Sequence, residues 1–220
     1  LAKIKAGTGE TFMKAKYHTT TGLVSAGVAS MAAVGFGAND ASAQGVENWA
    51  GFYAGLAVGT RDGSFFRYSD DAYNFQSDPT TGVFVGYNWA LGNLLMGVEF
   101  AYSPSDIGME DNGEVSDPDD YSVSDMIDIA LRLGAPIGDN VLVYGFGGLS
   151  AGTMWHDDGG EGYHTLGMNY GIGIDYLVTE SISVGARVTG RNMGIEVGDG
   201  MGDGGRESSH ELSLRAAFHF

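Results

Sequence analysis

Leu166-Gly167-Met168-Asn169-Tyr170-Gly171-Ile172-Gly173-Ile174-Asp175-Tyr176 decides the fold. Leu166, Met168, Tyr170, Ile172, Ile174 and Tyr176 are large and apolar, and every residue between them is small or polar. A period of two is the period of a β-strand, whose successive side chains leave opposite faces. A helix would instead bring residues three and four apart onto one side and scatter both sets around its surface. The stretch is therefore a strand with one apolar and one small, polar face.

The same alternation recurs along the chain. It predicts eight strands, near 51–61, 81–91, 93–103, 122–134, 141–154, 163–177, 182–195 and 209–220. One face carries Phe52, Leu56 and Val58, then Val83, Val85, Tyr87 and Trp89, then Met96, Val98 and Phe100, then Ile127, Ile129, Leu131 and Leu133. Leu142, Tyr144 and Phe146 are assigned to it, followed by Ile182, Val184 and Val188, and Leu212, Leu214, Phe218 and Phe220. The opposite face carries Gly55, Gly59, Gly86, Gly97, Gly145, Gly171, Gly173 and Gly185, with charged residues among them.

A soluble β-sandwich shares this alternation. Three features favour a barrel. Charges of both signs recur in mid-strand on the small-residue face. Glycine, 37 residues of 220, crowds that face, as the narrow interior of an eight-stranded barrel requires. Aromatic residues gather at strand ends, Trp49, Phe52, Trp89, Phe218 and Phe220 at one and Phe100, Tyr102, Tyr121 and Trp155 at the other, as in two membrane–water belts. Connections alternate between short (91–93, 135–140, 178–181) and longer acidic stretches (62–80, 104–121, 155–162, 196–208). Short periplasmic turns and long external loops are the outer-membrane arrangement. The expected fold is all-β, an eight-stranded antiparallel transmembrane up-and-down barrel over residues 44–220.

Residues 13–43 read as a signal peptide: Lys14 and Lys16, an uncharged small and apolar stretch over 22–38, then Ala41-Ser42-Ala43 as the cleavage site. Residues 1–12 read as an over-extended N-terminus. All four lysines fall before residue 44; after it stand seven arginines against 26 acids, a net charge of −19. Such a chain repels phosphate, which argues against nucleic acid as a partner. Cysteine is absent, which suits an oxidising compartment.

Trp49-Ala50-Gly51-Phe52-Tyr53-Ala54-Gly55 resembles the W-x-G-F-Y-x-G opening of porin-like outer-membrane β-barrel proteins of Alphaproteobacteria, which share their fold with the OmpA transmembrane domain and the opacity-type surface antigens. Phe218-His219-Phe220 resembles the C-terminal aromatic signal such barrels present to the assembly machinery, with Phe218 and Phe220 as its aromatics. The resemblance implies outer-membrane residence and assembly by the barrel insertase. It implies no catalytic residues, since the family shares none.

Four groups could carry chemistry. Inward-facing Glu99, Asp128, Asp175 and Glu211 stand against Arg132, Arg187, Arg191 and Arg215. Charges inside a barrel persist only if paired or wet, so this network is either a structural plug or a narrow ion path. Arg187 is expected to pair with Glu211 or Asp175. The acids between Asp106 and Asp120 form a loop without a basic residue, a solvated and repulsive surface. Divalent cations could bridge it to lipopolysaccharide. His156, Asp158, Glu161 and His164 are metal-ligating residue types in one hairpin, more ordinarily a polar loop. Ser208, Ser209 and His210 offer a nucleophile and a base without a third partner, and neighbours on a strand point to opposite faces.

The expected function is a non-enzymatic, structural or surface-interaction role in the envelope, with the lumen plugged by paired charges. A small passive pore is the alternative, and a lipid-A-modifying enzyme the third. No cofactor is expected. The expected partners are outer-membrane lipids, lipopolysaccharide, the assembly machinery and an unidentified extracellular ligand, for a monomeric barrel.

Overall fold

The computed structural model describes residues 42–66, 72–104, 107–110, 121–156, 162–195 and 206–220. A short helix α1 (Ser42–Glu47) precedes nine strand segments. These are β1 (Gly51–Phe66), β2 (Ala72–Leu91), β3 (Leu94–Ser103), β4 (Ile107–Glu110), β5 (Tyr121–Ile137), β6 (Val141–His156), β7 (Gly162–Leu177), β8 (Ile182–Ile195) and β9 (Arg206–His219). Every pairing is antiparallel, neighbours in sequence are neighbours in the sheet except β3 and β4, and β1 pairs with both β2 and β9. Among the described residues the sheet therefore closes on itself and keeps no free edge. β4 pairs with the same two neighbours as β3, so it continues that stave and the barrel has eight staves.

The outer wall is apolar because only hydrocarbon-like side chains suit a bilayer. Phe52, Leu56, Leu131, Met168 and Leu214 are each more than 60% exposed. This band ends towards the longer connections, where outward positions become Thr60 and Asp62 on β1, Asn192 on β8, and Ser208 and His210 on β9. The staves thus rise past the band as a polar-walled extension.

That extension corrects the expected boundaries. The stretch 62–80 is largely strand, because β1 runs to Phe66 and β2 starts at Ala72. The stretch 104–121 includes β4, β6 runs to His156, and β9 begins at Arg206. Outside a bilayer a strand needs no apolar face, so alternation fades while the hydrogen-bonded ladder continues. The acids at 111–120, and nearly all of the expected leader, lie outside the described residues.

A second correction concerns β6. Leu142, Tyr144 and Phe146 point into the barrel, not to lipid, and are 2%, 1% and 7% exposed. Gly145 accordingly faces outward with Gly147 and Leu149. The reason lies in the partner strand. Tyr144 is paired directly with Gly173, and Phe146 with Gly171. Any side chain at either glycine would collide with the aromatic ring lying on it. β1 and β2 repeat the device, with Tyr53 lying on Gly86 and Phe84 on Gly55. The inward glycines are thus seats for four rings.

The mouth beside the short turns is filled from the N-terminal side. Val46 and Trp49 are almost fully buried, in one cluster with Leu95, Leu142, Tyr144 and Leu177. Asn88 Nδ2 donates to the Trp49 carbonyl at 3.0 Å, and Asn48 Nδ2 to that of Asp139 at 3.3 Å. Trp49, expected in the aromatic belt, is therefore inside the barrel. The indole has an apolar mouth to fill there, which competes with the interface. Gly92 and Gly138 adopt φ of 62° and 65° in the turns at this end, a conformation that favours glycine.

Candidate functional site: the charged lumen

Strand alternation aims every second residue inward, and in this barrel those positions bring together all eight predicted charges. They form two layers. In the lower layer, nearer the short turns, Glu99 on β3 is 2% exposed and meets three arginines from three other strands. Its Oε2 accepts from Arg132 Nη1 at 3.0 Å, Arg215 Nη2 at 2.7 Å and the Tyr53 hydroxyl at 2.9 Å. Its Oε1 accepts from Arg187 Nη1. Arg132 also donates to Asp175 Oδ2 at 3.1 Å. The expected partner of Arg187 is thereby corrected: it is Glu99. Glu99 and Arg187 sit on strands across the barrel, and a strand-by-strand reading cannot see across a diameter.

The seated rings hold these guanidinium groups from behind. Arg132 lies 3.8 Å over Tyr144, Arg187 3.5 Å over Phe146 and Arg215 3.8 Å over Phe84. Each stack is a cation–π contact, strongest where water is excluded. Glycine, ring, guanidinium and Glu99 thus follow one another from wall to axis.

The upper layer is built on Arg191. Its Nη2 donates to Asp128 Oδ2 and its Nη1 to Glu211 Oε2 at 2.9 Å. Asp128 also accepts from Ser150. Glu211 takes a second partner, Arg61 Nη2, at 2.7 Å. Three charged lumen residues lie outside the sequence expectation: Arg61, Glu207 and Asp78, the cross-strand partner of Arg61 within the expected connection 62–80. Arg61 is in phase with inward Gly55 and Gly59, so its signal was present. Glu207 is in phase with Glu211 but precedes the expected strand start at 209.

Little open space remains between these groups. Among the described residues, a space of about 40 Å³ is bordered by Glu99, Arg187, Arg191 and Glu211, and another of about 10 Å³ is lined by Trp49, Tyr53 and His219. A buried water needs roughly 10–15 Å³, so both spaces are on the scale of a few waters at most.

The remaining candidates lie elsewhere. His164 is exposed on β7, opposite Thr153 of β6. His156 ends β6, two positions beyond Met154, while Asp158 and Glu161 lie outside the described residues. Ser209 is fully buried and inward, and its neighbours Ser208 and His210 are half-buried on the other face. Phe218 and Phe220 are exposed at the short-turn rim with ring centroids 5.0 Å apart. The Phe220 amide donates to the Phe52 carbonyl at 3.0 Å, across the β1–β9 seam.

The profile of the outer membrane protein beta-barrel domain family matches residues 28–220. A 22 kDa outer membrane protein of Rhizobium leguminosarum bv. viciae is 30% identical over 150 residues, which are 66% of this chain and just under two-thirds, 65%, of that protein's length. Among solved structures, Neisserial surface protein A is similar at a TM-score of 0.54 and 16% identity, over 78% of this chain and 98% of that one. The outer membrane protein OprG of Pseudomonas aeruginosa is similar at a TM-score of 0.47 and 13% identity, over 78% and 96%. The closed eight-stave barrel, its apolar outer band and the family match agree, and the chain belongs to the outer membrane protein beta-barrel domain family of the bacterial outer membrane.

Proposed function

We propose that this barrel is closed to solutes and serves the envelope as a structural and surface-interaction element, without enzymatic activity. The single observation that carries the proposal is the lumen network: seven ion pairs among the described residues link five arginines to Glu99, Asp128, Asp175 and Glu211 across the bore. Moving an ion through would require breaking buried, mutually paired charges, each a costly separation in a low-dielectric interior. The test is planar-bilayer recording on the refolded chain at high protein load. Absence of discrete steps is expected, while steady ion-selective single-channel currents would put the passive pore in its place. Lipid A analysis of expressing cells addresses the enzymatic alternative, and an unchanged lipid A profile is expected.

Phe218 and Phe220 are assigned the assembly role that the C-terminal resemblance implies. Their outward position at the periplasmic rim supports this, since a receptor for the nascent barrel can reach them. Deleting Phe220 should leave unfolded precursor in the periplasm. Normal amounts of heat-modifiable barrel in the outer membrane would refute the assignment.

A further inference from the structure

The extracellular end of the lumen holds one carboxyl that the ion-pair network leaves out. Glu207, on the inner face of β9, is 1% exposed, and its Oε2 has no hydrogen-bond partner. It lies above the apolar band, where the staves have risen past the bilayer. Its cross-strand neighbours are Met193 on β8 and Phe65 on β1, residue types without a side-chain donor. Ser209, two positions along the same face, is fully buried and within reach of the carboxyl.

Two cations face this group, and both are committed elsewhere. Arg61 on β1 goes to Glu211, and Arg191 on β8 goes to Asp128 and Glu211. The other charged groups at this level are acids: Glu211 on β9 itself, Asp128 on β5 and Asp78 on β2. β3, β6 and β7 present Ser103, Ser150, Thr165 and Asn169 there, which carry no charge. Among the described side chains, four acids thus share two arginines. With all four ionised, the layer would carry two negative charges in excess. Burial without a counter-ion disfavours the charged form of a carboxyl. It holds Glu207 above the ordinary carboxylate range, against the opposing pull of Arg61, Arg191 and the Ser209 hydroxyl.

We propose that Glu207 is a proton-operated clasp: as the neutral acid it lets the start of β9 lie sealed between β1 and β8, and on ionising it loosens that end of the barrel. An ionised Glu207 must draw water into the layer or take Arg61 from Glu211. Either change weakens the ladder around residues 206–210 and leaves the Glu99 layer below it intact. The extracellular end therefore tightens as the outside acidifies. The clasp does not depend on whether the barrel conducts.

The sign follows from proton counting. Where the folded barrel keeps a proton that the unfolded chain has lost, stability falls as pH rises. That window runs from the ordinary carboxylate range up to the higher pH at which Glu207 ionises in the fold. The test is urea unfolding of the refolded full chain in lipid vesicles from pH 4 to pH 8, for wild type and Glu207→Gln, whose amide mimics the neutral acid. The unfolding constant of the wild type relative to Glu207→Gln should rise with pH across the window, by up to about tenfold per unit, and then level off. A flat ratio, or one that falls as pH rises, overturns the clasp. Hydrogen exchange of the wild type locates the loosening. Amides at 207–211 should lose protection between pH 5 and pH 8 relative to those at 213–217 on the same strand, after correction for the intrinsic pH dependence of exchange. An even change along β9 overturns the clasp, and this measurement decides alone should Glu207→Gln not fold.

Discussion

At Glu99, three guanidinium groups and a phenol converge on one carboxylate, so its partners are not equivalent to it. Removing one arginine leaves the acid with two others. Removing the acid leaves three buried cations facing one another with Asp175 as their remaining counter-charge. Breaking a buried pair by deleting one member costs about 3–5 kcal/mol, mostly the penalty of the charge left behind. Glu99→Gln should therefore destabilise the barrel by about that much, and by more than Arg187→Ala. Urea unfolding of the barrel in lipid vesicles reads the difference, and equal losses would deny Glu99 its central place. A double-mutant cycle between the two sites should show coupling of about 0.5–3 kcal/mol. The sequence made all eight of these charges legible as inward-facing, because phase along a strand is a local property. Which acid meets which arginine was not legible. Partners across the bore are fixed by stagger and by side-chain length, and neither leaves a mark on a single strand.

Strand β6 is where local reading chose the wrong face. Val141-Leu142-Val143-Tyr144-Gly145-Phe146-Gly147-Gly148-Leu149 puts apolar residues and glycines in both phases, so side-chain size alone assigns Leu142, Tyr144 and Phe146 to the lipid face. The glycines of β7 settle it, since Gly171 and Gly173 leave room inside for the rings of Phe146 and Tyr144. Pairing two neighbouring strands could have revealed this, whereas hydrophobicity alone could not. Two adjacent glycines now give opposite expectations. Gly147 faces outward, and a Cβ there would meet only a backbone oxygen at 3.8 Å. Gly147→Leu should change stability by no more than about 0.5 kcal/mol, as for an unconstrained surface position. At Gly148 a Cβ would collide with the Ile129 carbonyl and the Ala130 backbone of β5. Gly148→Leu should prevent closure of the β5–β6 ladder and abolish the heat-modifiable band on cold gels. A folded Gly148→Leu barrel, with Gly147→Leu misfolded, would restore the original facing. On β7, where Ile172 is outward between inward Gly171 and Gly173, Ile172→Arg should cost about 2–4 kcal/mol in vesicles, the penalty for arginine near the bilayer midplane. A harmless Ile172→Arg would mean that this face does not meet lipid.

Along the barrel axis the proposed closure has two parts of different kinds. On the proposed closed reading, the Glu99 cluster would close the middle electrostatically, and Val46 with Trp49 would close the mouth beside the short turns by apolar packing. The second obstruction was invisible in the sequence. Trp49 looked like an interfacial aromatic, and nothing local shows that Asn88 holds its carbonyl while His219 sets its ring edge-on at 5.5 Å. Obstructions in series have a definite consequence for conductance. Removing either alone leaves the path as narrow as the other, so current should respond only when both are gone. Trp49→Gly should not conduct, because the arginine cluster above it is intact. Arg187→Ala combined with Arg215→Ala should not conduct either, because the indole still fills the mouth and Glu99 keeps Arg132. The triple variant Trp49→Gly, Arg187→Ala, Arg215→Ala should show small channel steps in planar bilayers, provided it migrates as a folded barrel. Those steps should favour cations, since two of the lower layer's three arginines are lost while Glu99 and Asp175 remain. Full conductance in Trp49→Gly alone would show that the charge network is no barrier. A silent but folded triple variant would place the true constriction higher, in the Asp128–Arg191–Glu211 layer.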